Sequence, residues 1–239
     1  MRRAPQAAIA FAACLTFAGA AQAAYVLEID TDGLDDGTLT LNPNFAFGGD
    51  TTTASQSVAS PAVGTTGGDS LFGGNGSALL DTYLYTYTPA IDGDTTPLAA
   101  GTPLNDDGDV SSGIVAGGSA EYAIYATWPV TSSVSGGDTS YVLSDVNGDL
   151  FSVLIDQNSA GGFQNPGGGG TSAGGEWVLL GTAVLDANTP YTLTQQPTGG
   201  NTFVSMRASA LLFEPVPEPA SLVLLAIGAV GLVARRRYA

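Results

Sequence analysis

Four carboxylates fall within seven residues in Asp30-Thr31-Asp32-Gly33-Leu34-Asp35-Asp36. Calcium takes roughly six to eight oxygen ligands, and alternating aspartates around a glycine can supply several of them from one tight loop. Asp30, Asp32, Asp35 and Asp36 are therefore candidate calcium ligands. The loop departs from the EF-hand pattern, because Leu34 stands where a third oxygen ligand is needed and the distal glutamate is missing. Smaller clusters occur at Asn105-Asp106-Asp107-Gly108-Asp109 and Asp145-Val146-Asn147-Gly148-Asp149. Asp, Asn and Gly are also ordinary turn formers on an acidic surface, so the metal and turn readings stand side by side.

Other chemistry is limited by what the chain lacks. It has no histidine and no lysine, and its single cysteine, Cys14, lies in an N-terminal apolar stretch. Ser-His-Asp and Cys-His pairs, a Schiff-base lysine and histidine or thiolate zinc ligands are all excluded from the body. No cofactor is expected beyond calcium. Carboxylate chemistry remains open. Glu28-Ile29-Asp30 resembles part of the catalytic strand of jelly-roll glucanases, where carboxylates about 5–5.5 Å apart serve as acid and nucleophile. In this chain Gly33 occupies the place of that strand's second glutamate.

Charge narrows the partners further. All six basic residues are arginines, and five of them lie at the termini. Of the 22 acidic residues only Glu218 lies beyond residue 214, so the body carries Arg207 alone against the rest, a net charge near −20. Phosphate backbones repel such a surface, which excludes nucleic acid as a partner. Arg207, between Met206 and Ala208, is expected to pair with a carboxylate and secure the body.

Both ends carry processing signals. Arg2 and Arg3, an apolar stretch from Ala7 to Ala18, and the small residues Ala21 and Ala23 form the three parts of a secretory signal peptide over residues 1–23. Signal peptidase is expected to cut before Ala24. The C-terminus reads Pro217-Glu218-Pro219, then an uncharged apolar run from Leu222 to Ala234, then Arg235-Arg236-Arg237. That run is short against the roughly 20 residues that span a bilayer comfortably. The arginines behind it would hold that end in the cytoplasm. This order of parts over residues 215–239 resembles the PEP-CTERM sorting signal. The resemblance implies recognition by an exosortase, an integral-membrane cysteine protease, and processing near Pro217–Pro219. It also implies a transient anchor in the inner membrane and a destination at the cell surface or in the extracellular matrix of a Gram-negative bacterium.

Between these signals, residues 24–214 show period-two alternation and almost no helical period. Tyr122, Ile124, Ala126 and Trp128 share one face of Ala120–Trp128, and Phe151, Val153 and Ile155 share one face of Leu150–Asp156. Further strands are expected at Tyr25–Ile29, Thr38–Leu41, Thr82–Thr88, Ser140–Leu143, Glu176–Leu180, Tyr191–Thr194, Thr202–Met206 and Ala208–Phe213. Turns are expected at Asp36-Gly37, Asn147-Gly148, Asp186-Ala187-Asn188 and Gly199-Gly200-Asn201. Gly48–Gly76 and Phe163–Gly175 are rich in small polar residues and read as long loops, and Ala90–Gly118 is loop-rich. The expected fold is all-β: a single antiparallel, jelly-roll-like β-sandwich between an N-terminal signal helix and a C-terminal transmembrane helix. Trp128 and Trp177 are expected in its core.

A second resemblance covers residues 118–213. Glu121-Tyr122-Ala123-Ile124-Tyr125-Ala126-Thr127-Trp128, then Asp156-Gln157, then Trp177-Val178-Leu179-Leu180-Gly181-Thr182 are similar in order to golvesin-type domains. The resemblance implies a β-sandwich related in shape to carbohydrate-binding modules and found in secreted, surface-attached bacterial proteins. The sequence thus predicts a non-catalytic structural or adhesive surface protein. Its alternatives are a module binding extracellular polysaccharide through exposed aromatics such as Tyr83, Tyr85 and Tyr87, and a carboxylate-based glycoside hydrolase.

Overall fold

The computed structural model describes residues 25–28, 41–48, 55–58, 60–62, 69–73, 81–92, 118–129, 138–157, 177–198 and 206–216. Alternating apolar residues on β-branched and aromatic-rich segments form the longest strands: β5 (Thr82–Tyr87), β6 (Ala120–Thr127), β7 (Asp138–Asp145), β8 (Gly148–Asp156), β9 (Val178–Leu185) and β10 (Tyr191–Pro197). Shorter strands complete the set: β1 (Tyr25–Glu28), β2 (Phe45–Gly48), β3 (Ser55–Val58), β4 (Asp69–Gly73), β11 (Met206–Ala208) and β12 (Ala210–Pro215). They assemble as a four-stranded sheet β1-β12-β6-β9, a five-stranded sheet β2-β5-β10-β7-β8 and a three-stranded sheet β11-β4-β3. Every pairing is antiparallel.

The two larger sheets share one core, which makes the body a β-sandwich. Tyr122, Ile124 and Ala126 of β6, with Leu211 and Phe213 of β12, meet Tyr83, Tyr85 and Tyr87 of β5 and Leu193 of β10. The layers interdigitate through Tyr87, which stacks on Phe213 at 4.4 Å between ring centroids and meets Tyr122 edge-on at 5.8 Å. A bulge on β9 leaves Leu180 unmatched, since Ile124 pairs with Gly181 and Tyr125 with Leu179. The bulge shifts the phase of the strand, so Val178, Leu180 and Leu185 all reach the same core despite the odd spacing between Leu180 and Leu185. Trp128 and Trp177 are both buried, as the sequence predicts.

The four-stranded sheet is buried on its other face too. Ala123 and Tyr125 of β6 join Ala210 and Leu212 of β12 in a second cluster with Ala62 and Trp177. Buried hydroxyls pin the covering segment 60–62: Ser60 Oγ lies 2.6 Å from Thr127 Oγ1, and the Ser60 amide donates to Ser209 Oγ at 3.1 Å.

Two sequence expectations need correction. Gly48–Gly76 contains two strands, β3 and β4, instead of a continuous loop. Its Ser- and Gly-rich composition offers little strand propensity, but β4 ladders onto β11 and inserts Leu71 into the main core. The strand expected over Ala208–Phe213 is broken at Ser209, where the chain passes from the three-stranded sheet into the four-stranded one. The Ser209 amide donates to the Thr127 carbonyl at that crossing. Segments 1–23, 163–175 and 217–239, and the turns at Asp36-Gly37 and Gly199-Gly200-Asn201, lie outside the described residues. Among the described residues, no helix is long and apolar enough to cross a membrane.

Candidate functional site

Two buried glutamines and the backbone of Arg207 converge at one hub. Gln157 follows the end of β8, and its side chain clasps the backbone of Arg207 in β11. Its Oε1 accepts the Arg207 amide at 2.9 Å, and its Nε2 donates to the Arg207 carbonyl at 2.8 Å. The same Nε2 donates to Tyr141 Oη at 2.8 Å. From β10, Gln195 Nε2 donates to the Arg207 carbonyl at 2.7 Å, while its Oε1 accepts the Tyr85 hydroxyl at 2.9 Å. Trp128 Nε1 donates to the Gln157 carbonyl at 3.2 Å. Two glutamines thus act as surrogate backbone partners for a three-residue strand, as buried amide groups require. The aspartate-glutamine pair at 156–157 is legible in the sequence, but the partner of the glutamine lies fifty residues onward.

This hub binds the sandwich together. Burial pushes the phenols of Tyr83, Tyr85 and Tyr141 well above the ordinary tyrosine range. The Asp81 charge adds to the rise at Tyr83, and its neighbours Tyr141 and Tyr83 add to it at Tyr85. All three stay neutral, and Tyr85 and Tyr141 act as fixed hydrogen-bonding groups. The Arg207 guanidinium lies over the Phe72 ring at 4.6 Å from its centroid, and burial pulls its pKa below the usual arginine value. β11 and β4 thus place the only cation of the body against an aromatic face.

The sequence-predicted sites fare differently. Asp30, Asp32, Asp35 and Asp36 lie outside the described residues, as do Ala21, Ala23, Pro217, Glu218, Pro219, Arg235, Arg236 and Arg237. Among the described residues no group of three or more metal-ligating side chains is assembled. The Asp145–Asp149 cluster is a hairpin turn. Asp145 Oδ1 accepts the amides of Asn147 at 2.7 Å and Gly148 at 3.1 Å, and these bonds hold its carboxyl below the usual range. Tyr83, Tyr85 and Tyr87, which the alternative of a polysaccharide-binding module would expose as stacking platforms, are instead between 0% and 1% exposed. Alternation shows that they share a face, and the opposing sheet makes that face the inner one. Glu28 is the last residue of β1, an edge strand of the four-stranded sheet.

The fold positions the two residues at which the C-terminal tail begins, Pro215 and Val216. β12 lies between β1 and β6 and ends at the buried Pro215. Val216 then donates its amide to the Glu121 carbonyl at 2.7 Å and packs against the second cluster. Residues 215–237 match the PEP-CTERM protein-sorting motif, so the motif opens on the last residue of the final strand. A motif of this kind implies export and sorting to the cell surface through a membrane-anchored intermediate, with processing by exosortase. No curated protein matches it in sequence. Among solved structures it is similar to a Paenibacillus xanthan lyase, with a TM-score of 0.46 and 14% identity over 82% of this chain, which spans 13% of that longer chain.

Proposed function

We propose that the chain is a non-catalytic structural or adhesive component of the extracellular matrix of a Gram-negative bacterium, delivered there by its sorting tail. The observation that carries this reading is the direct passage from the buried strand β12 into the sorting motif, which makes the folded sandwich the cargo. A body near −20 in charge stays soluble after release, and screening over about 8–10 Å limits self-repulsion in salty surroundings. The buried tyrosines and tryptophans spend their area on cohesion between sheets, which suits a load-bearing module. A central catalytic strand bearing Glu28 would have favoured hydrolysis, whereas β1 lies at a sheet edge. Polysaccharide binding through Tyr83, Tyr85 and Tyr87 loses its support for the reason given above.

Intact mass of the protein from surface and medium fractions, with and without exosortase in the host, tests the reading. The expected product lacks residues 1–23 and ends near Pro217, with the second cut dependent on exosortase. A C-terminus still at Ala239 in both strains would reduce the tail to a plain anchor. Purified mature protein should also sediment with the host matrix without altering the length of its polysaccharide, and any chain shortening would refute the non-catalytic role.

A further inference from the structure

The sorting motif leaves the sandwich without slack. A chain advances at most about 3.3–3.6 Å per residue, so Pro217–Pro219 lie within roughly 11 Å of the anchored Val216. By the same limit the apolar run from Leu222 begins within about 22 Å. A protease embedded in the membrane that grips the Pro-Glu-Pro segment must therefore meet the body itself.

The strand register defines which part it meets. Tyr25 pairs with Phe213, Tyr122 with Pro215 and Ala120 with Leu185, so the first strand starts beside the place where the last one ends. Both predicted membrane-directed segments leave from this end. The turn from β9 to β10 lies there too. It is tied to the second sheet by the Asn188 amide donating to the Pro89 carbonyl at 2.8 Å, and to Ser119 by the Ala187 amide donating to its Oγ at 3.0 Å. The β7–β8 hairpin completes the end, since Ser144 pairs with Thr192 near the start of β10. Among the described residues, the three most exposed large apolar side chains all fall here: Val146 at 83%, Val184 at 68% and Ile91 at 64%. Exposed Asp92, Glu121, Asp149 and Asp186 stand around them.

We infer that this exit end is the docking face for the outward surface of the membrane-embedded sorting protease, and that the partner surface is apolar with a cationic rim. The inference rests on the exosortase reading above. The carboxylates favour a protein partner with a cationic rim over direct contact with anionic headgroups, which would repel them within a screening length of about 8–10 Å.

The full precursor is tested in its exosortase-bearing host by pulse-chase. One variant combines Ile91→Asp, Val146→Asp and Val184→Asp. A control places three aspartates elsewhere on the surface, at Val58, Ser152 and Leu154. The expected half-time for removal of the tail is at least about fivefold longer in the first variant and within about twofold of wild type in the control, with both unfolding near the wild-type temperature. A photo-reactive residue replacing Val146 should capture exosortase, whereas one replacing Leu154 should not, and this measurement does not depend on how the triple variant folds. Equal half-times in the two variants, or capture of lipid alone, would overturn the inference while leaving sorting intact. Tail removal that persists without exosortase would overturn the sorting assignment as well.

Discussion

Replacing Gln157 by leucine keeps the approximate volume but removes three hydrogen bonds from a fully enclosed position. The Arg207 carbonyl retains its bond from Gln195, whereas the Arg207 amide loses its Gln157 acceptor. A buried donor left unsatisfied costs about 1–3 kcal/mol, and each further lost bond costs about 0.5–1.5 kcal/mol. The expected destabilisation is about 3 kcal/mol. For a domain of this size, about 2–4 °C per kcal/mol converts that into a fall in Tm of roughly 6–12 °C. Gln157→Glu sharpens the test. A carboxylate can still accept the Arg207 amide, but its second oxygen would face the Arg207 carbonyl that now receives a proton from Nε2. Only the protonated acid can donate there, so folding raises the pKa of the introduced group above its unfolded value of about 4.3. For a raised folded pKa the stabilised state exists below the unfolded pKa and is lost as pH rises through the folded one. The deficit of the Gln157→Glu variant against wild type should therefore be small near pH 4 and larger at pH 7. Calorimetry on purified protein reads both effects. A leucine variant melting within about 1 °C of wild type, or a pH-independent deficit in the Gln157→Glu variant, would refute the clasp as a stabilising unit.

Two other perturbations follow from the same geometry. Tyr83, Tyr85 and Tyr141 have raised folded pKa values, so their contribution to stability is complete below the unfolded value near 10 and is lost above it. Ultraviolet titration should show these phenols silent at about pH 10.5 and ionising only with cooperative alkaline unfolding; smooth titration of every tyrosine at that pH would contradict their burial. Gly148 has φ of +137°, and a Cβ there would touch nothing within 4 Å, so Gly148→Ala isolates backbone strain. It should cost about 1–3 kcal/mol in denaturant unfolding, and an unchanged midpoint would show that the hairpin accepts another turn type.

Much of this protein is local in its sequence. The tail can be read without a fold, because Pro217-Glu218-Pro219, the apolar run and the three arginines act as a linear address. The long strands are legible because side chains alternate with period two. The Asn147-Gly148 turn is legible because Gly148 takes a positive φ and Asp145 caps the amides beside it. Tertiary structure decided what period and propensity leave open. Alternation groups Tyr83, Tyr85 and Tyr87 on one face, but only the opposing sheet makes that face the core. β4 forms a strand because β11, more than a hundred residues later, offers a ladder, and Ser-rich β3 pairs in turn with β4. Gln157 and Gln195 are buried because Arg207 presents its backbone to them, a match no local window contains. The shared exit of the first and last strands likewise comes from the pairing of β1 with β12, since long-range hydrogen bonding joins segments that the linear chain holds farthest apart.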